Sequence, residues 1–250
     1  MKPYRIEIGG LGIICLQGMQ KLTLLDYPGK VACTIFTSGC NFRCPFCQNS
    51  ELLPCHKEGG MNPDEVLAFL EQRRKKHLLD GVCITGGEPL LQDNLADFLR
   101  AIKQMGYAVK LDTNGSFPDR LRELVEEGLV DYVAMDIKNS PARYAETTGT
   151  TGLYSQAVEQ SVKYLLQGHV PYEFRTTVVK EFHTADDFQQ MAEWIQGTDA
   201  WYLQSFVDSE QVLAEGLHAY EPEEMEAFRQ QILPLVPSAK LRGVDLSGRM

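Results

Sequence analysis

Residues 31–47 read VACTIFTSGCNFRCPFC and contain the segment that decides the fold. Residues 31–37 are mainly β-branched or aromatic, which is typical of a buried strand. The loop that follows carries Cys40, Cys44 and Cys47 together with Gly39 and Pro45. The sequence therefore predicts a strand that delivers three cysteines at its carboxyl end.

Outward from this segment, apolar strands alternate with amphipathic helices. Strands are also predicted at 81–85, 107–111, 131–137, 172–179 and 200–207, with a further short strand at 240–244. Helices are predicted at 63–76, 94–105, 118–127, 154–167, 185–196 and 222–233. Such alternation is typical of βα units around a parallel sheet. Because Rossmann glycine spacing is lacking, we expect the α/β class and an incomplete (β/α)6 TIM-like barrel, with a doubly wound sheet as the competing fold.

Composition limits the class of protein. The 250 residues, 44% of them hydrophobic, suffice for one core, and we expect one domain at 19–250 after an extension at 1–18. The net charge of −10 argues against a nucleic-acid partner. No apolar run approaches the ~18 residues of a membrane helix. Seven unevenly spaced cysteines indicate a metal site in a reducing cytoplasm rather than a secreted disulfide scaffold.

The three clustered cysteines have three interpretations. A structural zinc site needs four ligands, and Cys55 or His56 is near enough in sequence to be the fourth. Three thiolates suit an iron–sulfur cluster with one iron left open. Core packing is the third interpretation, but a loop with glycine and proline is a poor place for it. Cys33 and Cys83 lie within strands and are assigned to the core, and His169 and His183 are assigned structural roles.

The cysteine pattern, with Phe46 before its last cysteine, resembles the signature of the radical S-adenosylmethionine (SAM) superfamily. After the second predicted strand, Gly86, Gly87, Glu88 and Pro89 resemble the GGEP motif of that superfamily. The resemblance implies a 4Fe–4S cluster on the three cysteines, a radical SAM type of barrel, and backbone contacts from GGEP to the amino group of SAM. Glycines would permit that close backbone approach, and the proline would make the exit rigid.

A narrower resemblance covers residues 19–207. The segment TLLDYPGK at 23–30, the CQN at 47–49 and the QSF at 204–206 resemble activating enzymes of glycyl radical enzymes, most closely those of anaerobic ribonucleoside-triphosphate reductase. Further matches come at or near strand ends, where barrel enzymes carry their sites: Asp112, Thr113, Asn114, Asp136, Lys138 and Arg175.

The charged residues at the strand ends have predicted roles. Asp112 and Asp136 would hydrogen-bond SAM, bind a monovalent cation, or do both, although each could instead cap a helix or loop. Lys138 would pair with Asp136 or with the carboxylate of SAM. Arg175 lies in an apolar strand, so we expect a buried partner for it.

The resemblance implies an oxidoreductase that receives one electron from a flavodoxin or ferredoxin-type donor, cleaves SAM, and generates a glycyl radical on a partner enzyme. Anaerobic ribonucleotide reductase is the expected partner. Three rivals stay open: an activating enzyme of the formate-lyase type, a small-molecule radical SAM enzyme, and an iron–sulfur electron carrier. Many activating enzymes of the first kind carry a cysteine-rich insertion before GGEP. Apart from the strand residue Cys83, this chain has only Cys55 there, which favours the simpler reductase activator.

Overall fold

The computed structural model describes residues 14–55, 60–150, 152 and 154–245, and its centre is one β-sheet. Within these residues eight strands pair in the order of the chain. The first strand is antiparallel to the second, and the other neighbours are parallel. The strands are β1 Leu16–Thr23, β2 Ala32–Thr37, β3 Gly81–Gly86, β4 Ala108–Thr113, β5 Tyr132–Asp136, β6 Tyr172–Val178, β7 Trp201–Ser205 and β8 Ala239–Arg242.

The strand order decides between the two expected folds. A doubly wound sheet reverses its strand order at a switch point, whereas a barrel winds in one direction. Here each strand pairs with its predecessor in the chain, and β1 and β8 form the two ends of the sheet. The incomplete barrel is therefore confirmed, and the doubly wound alternative was wrong. The predicted strands are present as β2 to β8, and β1 is an addition.

Helices connect the parallel strands. They are α1 Pro63–Lys75, α2 Leu95–Gln104, α3 Pro118–Glu126, α4 Tyr144–Thr148, α5 Ser155–Leu166, α6 Ala185–Trp194 and α7 Pro222–Ile232, with single 3-10 turns at Ser50–Leu52 and Pro89–Leu91. Local capping fixes where helices begin: the Asn62 side chain accepts from the Asp64 N–H at 2.9 Å, and Thr184 forms a capping box with Asp187. All six predicted helices are found within two residues at each end, and α4 was not predicted.

The edge strand β1 crosses the boundary that the sequence suggested between residues 18 and 19. It begins at Leu16 and pairs with β2 through Gly18 and Met19. Its residues 17–19 are half-buried and residues 20–22, which include Gln20 and Lys21, are exposed, so it lacks the apolar pattern of the inner strands. Residues 1–13 of the predicted extension lie outside the described residues. A single domain from residue 19 stays a prediction.

Side chains alternate between the inside and the outside of the barrel along each strand. Asp112, Arg175 and Gln204 line a cavity inside the barrel. Their neighbours in sequence point the other way and form the fully buried core under the helices: Leu111, Phe174 and Leu203. The apolar core therefore lies between sheet and helices, and polar side chains fill the inside of the barrel.

In the part of the chain that the structure describes, no helix has both the length and the apolar character needed to cross a bilayer.

Candidate active site

A cavity of about 400 Å³ opens at the carboxyl ends of the barrel strands. Most of the predicted site residues line it. These are Cys40, Cys44, Phe46, Cys47, Gly86, Gly87, Asp112, Thr113, Asn114, Asp136, Lys138 and Arg175. The tertiary structure thus brings together residues from five strands and their following loops, which is the usual arrangement of a barrel enzyme site.

The cysteine loop is held by backbone hydrogen bonds from two sides. The Gly39 and Cys40 N–H groups donate to the carbonyls of Leu52 and Leu53, at 2.8 and 3.1 Å. On the other side, the N–H of Ala214 donates to the Pro45 carbonyl at 2.9 Å. A loop with this many anchors presents its side chains in a fixed arrangement.

The three thiols fit the donor set of an iron–sulfur cluster. Cys44 is buried, and Cys40 and Cys47 are half-buried. Burial raises the pKa of the Cys40 thiol to about 11 and that of Cys44 to about 12, so without metal both stay protonated. Among the described residues, no three His, Cys, Asp or Glu side chains are grouped closely enough to hold a single metal ion. A cubane cluster makes a different demand, since each thiolate binds its own iron.

The zinc interpretation loses its extra ligand. Cys55 does not line the cavity, and its sulfur lies 3.5 Å from that of Cys15 instead. His56 lies outside the described residues. Cys33 and Cys83 are fully buried in β2 and β3, as the sequence predicted.

Gly86 and Gly87 allow the end of β3 to touch the strand and loop that lead to Cys40. A Cβ atom on Gly87 would lie 2.1 Å from the carbonyl oxygen of Gly39. A Cβ on Gly86 would lie 2.2 Å from the oxygen of Thr37, and its φ of 127° also disfavours a side chain. The two glycines therefore expose bare backbone to the cavity directly beside the cysteine loop.

Glu88 and Pro89 are placed differently from the expectation, because neither lines the cavity. The Glu88 carboxylate is fully buried and accepts from the Thr113 hydroxyl at 2.8 Å and the Asn114 N–H at 2.7 Å. Burial raises the pKa of Glu88 to about 7, although hydrogen bonds from Asn114 and Leu90 oppose the rise. Glu88 thus ties the GGEP turn to the loop after β4 from behind the cavity wall.

Arg175 is the centre of a charge network. Its Nε donates to Asp136 at 2.9 Å and its NH1 donates to Asp112 at 3.1 Å. Lys138 donates to the second oxygen of Asp136 at 3.1 Å, and Lys110 donates to Asp112. The expected buried partner of Arg175 is therefore a pair of carboxylates, and Lys138 pairs with Asp136 as predicted.

The network keeps its members charged. Burial alone would raise the pKa of Asp136, but Arg175 and Lys138 outweigh it and hold the pKa at about 2. The pKa of Asp112 is likewise lowered, by Arg175 and Lys110 against the effect of burial. The cavity therefore offers fixed positive and negative charges at neutral pH to a ligand that carries both signs.

Phe46 and His183 pack beside the charge network. Phe46 is buried and packs against Phe182, with ring centroids 5.6 Å apart. The buried His183 ring places Nε2 2.9 Å from the Lys138 carbonyl. His183 is therefore a structural residue, as the sequence analysis assigned it, and it positions the backbone of Lys138.

The cavity also includes residues that the sequence reasoning did not assign to the site. They are Asp26, Phe42, Gln48, Asn49, Leu53, Thr85, Thr177 and Gln204. Four of them, Asp26, Gln48, Asn49 and Gln204, lie in the segments that carry the narrower resemblance, and this could have indicated them. Lys110 is also absent from the predicted site, although it carried the same kind of local signal as Arg175: it is a charged residue within an apolar strand, two positions before Asp112.

Comparison with known proteins gives three findings. A family model described as the Radical SAM superfamily matches residues 34–195. A Methanocaldococcus jannaschii protein named "Putative glycyl-radical enzyme activating enzyme" is 32% identical over 195 residues, or 76% of this chain and 79% of that protein. A "Probable GTP 3',8-cyclase" of Halobacterium salinarum is 30% identical over 175 residues, or 67% of this chain but 47% of the cyclase.

Among solved structures, Streptococcus suis SuiB bound to S-adenosylmethionine matches with a TM-score of 0.65. The sequences are 12% identical, and the match covers 82% of this chain and 48% of SuiB. This chain therefore spans about half the length of that structure, and the likeness establishes a shared fold.

Proposed function

Because the chain belongs to the radical SAM superfamily, we propose that it is an activating enzyme that generates a glycyl radical on a partner enzyme. Membership of the superfamily implies a 4Fe–4S cluster and SAM as cofactors. The observation that carries the proposal is the meeting, in one cavity, of three cysteines, the Gly86–Gly87 backbone and the charges around Arg175. The relative from Methanocaldococcus jannaschii supports the activating role, since its match extends over most of both chains.

The residues of the cavity suit the two cofactors. Cys40, Cys44 and Cys47 would each bind one iron and leave the fourth iron for the amino and carboxylate groups of SAM. Held there, the cluster would supply the electron for reductive cleavage of SAM, and the resulting carbon-centred radical would take a hydrogen atom from the glycine Cα of the partner. Each thiol would lose its proton as its sulfur binds iron, and metal binding would thereby offset the raised pKa of the buried thiols.

The chain itself orients SAM. The backbone at Gly86 and Gly87 offers carbonyl acceptors for the SAM amino group. Lys138 donates to Asp136 and, as an ammonium, has further N–H donors to direct at the SAM carboxylate. Arg175 fixes the position of Asp136, so the orientation of Lys138 depends on a buried pair rather than on a solvated side chain. A monovalent cation beside Asp112 and Asp136 stays a prediction.

The partner is proposed from the narrower resemblance. The segments at 23–30 and 47–49, with the loop after β4, favour an anaerobic ribonucleoside-triphosphate reductase as the protein that receives the radical. Because β1 and β8 are not paired with each other in the part of the chain that the structure describes, we expect a peptide loop of the partner to approach the cavity from the side. We also propose a flavodoxin or ferredoxin-type electron donor and a reducing cytoplasm as the setting.

A small-molecule reaction is the second candidate, and the similarity to the GTP 3',8-cyclase of Halobacterium salinarum favours it. The cavity would then hold a small substrate beside SAM. The coverage argues against it, since this chain matches 47% of the cyclase but 79% of the activating-enzyme relative. An activating enzyme of the formate-lyase type would carry out the same chemistry on a different partner.

The test is anaerobic. The protein is reconstituted with iron and sulfide, supplied with dithionite and SAM, and assayed for 5′-deoxyadenosine. Cys44→Ala is expected to abolish the product and to lower the iron content, whereas Cys33→Ala, at a fully buried cysteine outside the cavity, is expected to preserve both. Product from Cys44→Ala equal to that of the unmodified protein would refute the assignment of the cluster.

Partner identity is tested in the same reaction. Candidate ribonucleotide reductases and formate-lyase-type enzymes are added separately, and the glycyl radical is measured by electron paramagnetic resonance. We expect a signal with the reductase. SAM cleavage that is stimulated by GTP, and gives no radical signal with any glycyl radical enzyme, would establish the small-molecule alternative.

A further inference from the structure

Cys15 and Cys55 form a second thiol pair beside the cysteine loop. Their sulfur atoms lie 3.5 Å apart, although the residues are separated by 40 positions in the chain. Cys15 is buried and Cys55 is exposed, and neither lines the cavity. The radical chemistry proposed above uses neither of them.

The backbone around Cys15 is held on both sides. The Cys15 carbonyl accepts from the Ser38 N–H at 2.9 Å, and its own N–H donates to the Gln92 side chain at 2.9 Å. The next residue, Leu16, accepts from the Met61 N–H at 2.7 Å. Cys15 is therefore fixed against the segment that leads from β2 into the cysteine loop.

Cys55 lies against the same segment, at Gly39. It follows Leu52 and Leu53, whose carbonyls accept from the N–H groups of Gly39 and Cys40. A Cβ atom on Gly39 would lie 3.4 Å from the Cβ of Cys55. The two thiols thus meet next to the residue that precedes the first cluster cysteine.

We propose that Cys15 and Cys55 are a reversible disulfide site. Formation of the bond requires a sulfur separation of about 2.0 Å, so the two sulfurs must approach by about 1.5 Å, and the exposed Cys55 side chain has room to rotate. Disulfides of reducing compartments are mostly transient and redox-sensing, which suits a pair with one exposed and one buried partner.

The oxidant is a low-molecular-weight disulfide such as oxidised glutathione. The Cys55 thiolate attacks one sulfur of this oxidant and releases one thiol, which leaves a mixed disulfide. Cys15 then attacks the Cys55 sulfur and releases the second thiol. The two cysteines lose two electrons and two protons, and the small disulfide is reduced to two thiols. The new bond closes a covalent loop around β1, β2 and the whole cysteine loop.

The experiment uses cluster-loaded protein under anaerobic conditions, so that Cys40, Cys44 and Cys47 are occupied. It is incubated with oxidised glutathione, remaining thiols are blocked with iodoacetamide, and the chain is digested with trypsin and Glu-C without reductant. These proteases place Cys15 in residues 8–21 and Cys55 in residues 52–57, separate from the cluster cysteines. We expect a linked peptide pair two hydrogens lighter than the sum, which disappears on addition of reductant.

The variants separate the roles of the two cysteines. Cys55→Ser, at an exposed position, should abolish the linked pair. Cys15→Ala should leave a glutathione adduct on Cys55, because the attacking thiol is missing. Cys33→Ala, at a buried cysteine of β2, should keep the link. A stable glutathione adduct on Cys55 in the unmodified protein, a link from Cys55 to a cluster cysteine, or no link at all would each overturn the proposal.

Discussion

Replacing Arg175 with glutamine tests the charge network most directly. The guanidinium bridges Asp112 at 3.1 Å and Asp136 at 2.9 Å, and the three side chains are 15%, 14% and 28% exposed. Glutamine keeps a polar but shorter side chain and removes the charge. Two carboxylates would then stay inside the barrel with Lys110 and Lys138 as their remaining cationic partners.

The burial of the ion pairs sets how much stability Arg175→Gln loses. Removing one partner of a buried ion pair costs about 3–5 kcal/mol, and the two remaining lysines place this site near the lower value. In a domain of this size that corresponds to a fall in Tm of roughly 6–12 °C. Arg100→Gln is the matched control, because Arg100 also contacts two carboxylates, Asp97 and Glu127, but is 42% exposed. Exposed pairs contribute less than about 1 kcal/mol, so Arg100→Gln should change Tm by at most a few degrees.

The assay is thermal unfolding of both variants, free of metal and under reductant, at several pH values. In the folded protein Asp136 has a pKa of about 2, below its ordinary value of 3.8. Its charge therefore stabilises the fold fully above pH 3.8, and this contribution is lost as the pH falls from 3.8 through 2. Without Arg175 the pKa of Asp136 rises, and the folded variant takes up a proton at mildly acidic pH. The gap in Tm between the unmodified protein and Arg175→Gln should therefore narrow from neutral pH towards about pH 4. Equal shifts for both arginine variants, or a gap that does not change with pH, would refute this reasoning.

Three further predictions concern the loops and one helix. Glu88 has a pKa of about 7 against an ordinary 4.5, so between these pH values the folded chain holds a proton that the unfolded chain loses, and stability should fall as the pH rises from 4.5 to 7. Glu88→Gln should flatten this pH dependence of Tm in thermal unfolding. An unchanged slope would contradict the assignment. Gly87→Ala places a Cβ 2.1 Å from the Gly39 oxygen, so it should lower the free energy of unfolding by about 1–3 kcal/mol and weaken SAM binding in calorimetry. The control is Gly18→Ala, whose added Cβ would lie 3.9 Å from its nearest atom and should leave SAM binding unchanged. Asn62→Ala removes the cap of α1 and should cost about 1 kcal/mol in urea unfolding without changing SAM cleavage, so reduced cleavage would count against a purely local role.

Several parts of the fold follow from local sequence. The inner strands are short apolar runs, and the helices show apolar periodicity with capping residues such as Asn62, so both were predictable from neighbouring residues. β1 was not, because its partly exposed middle lacks an apolar pattern and its pairing with β2 supplies the stabilisation. The short helix α4 also escaped prediction, since five residues carry too little periodicity.

The sequence by itself determined the chemistry of the site: three cysteines in one loop, two glycines after β3, and acidic or basic residues at strand ends. Only the tertiary structure decided how they meet. Strand register sets Asp136 beside Arg175, and the fold also brings Arg175 to Asp112, 63 positions earlier in the chain. In the folded chain Glu88 lies behind the cavity wall, and the thiol of Cys15 lies beside that of Cys55. Local patterns specify secondary structure because they act over a few residues, whereas these contacts join residues far apart in the chain and exist only once the barrel is formed.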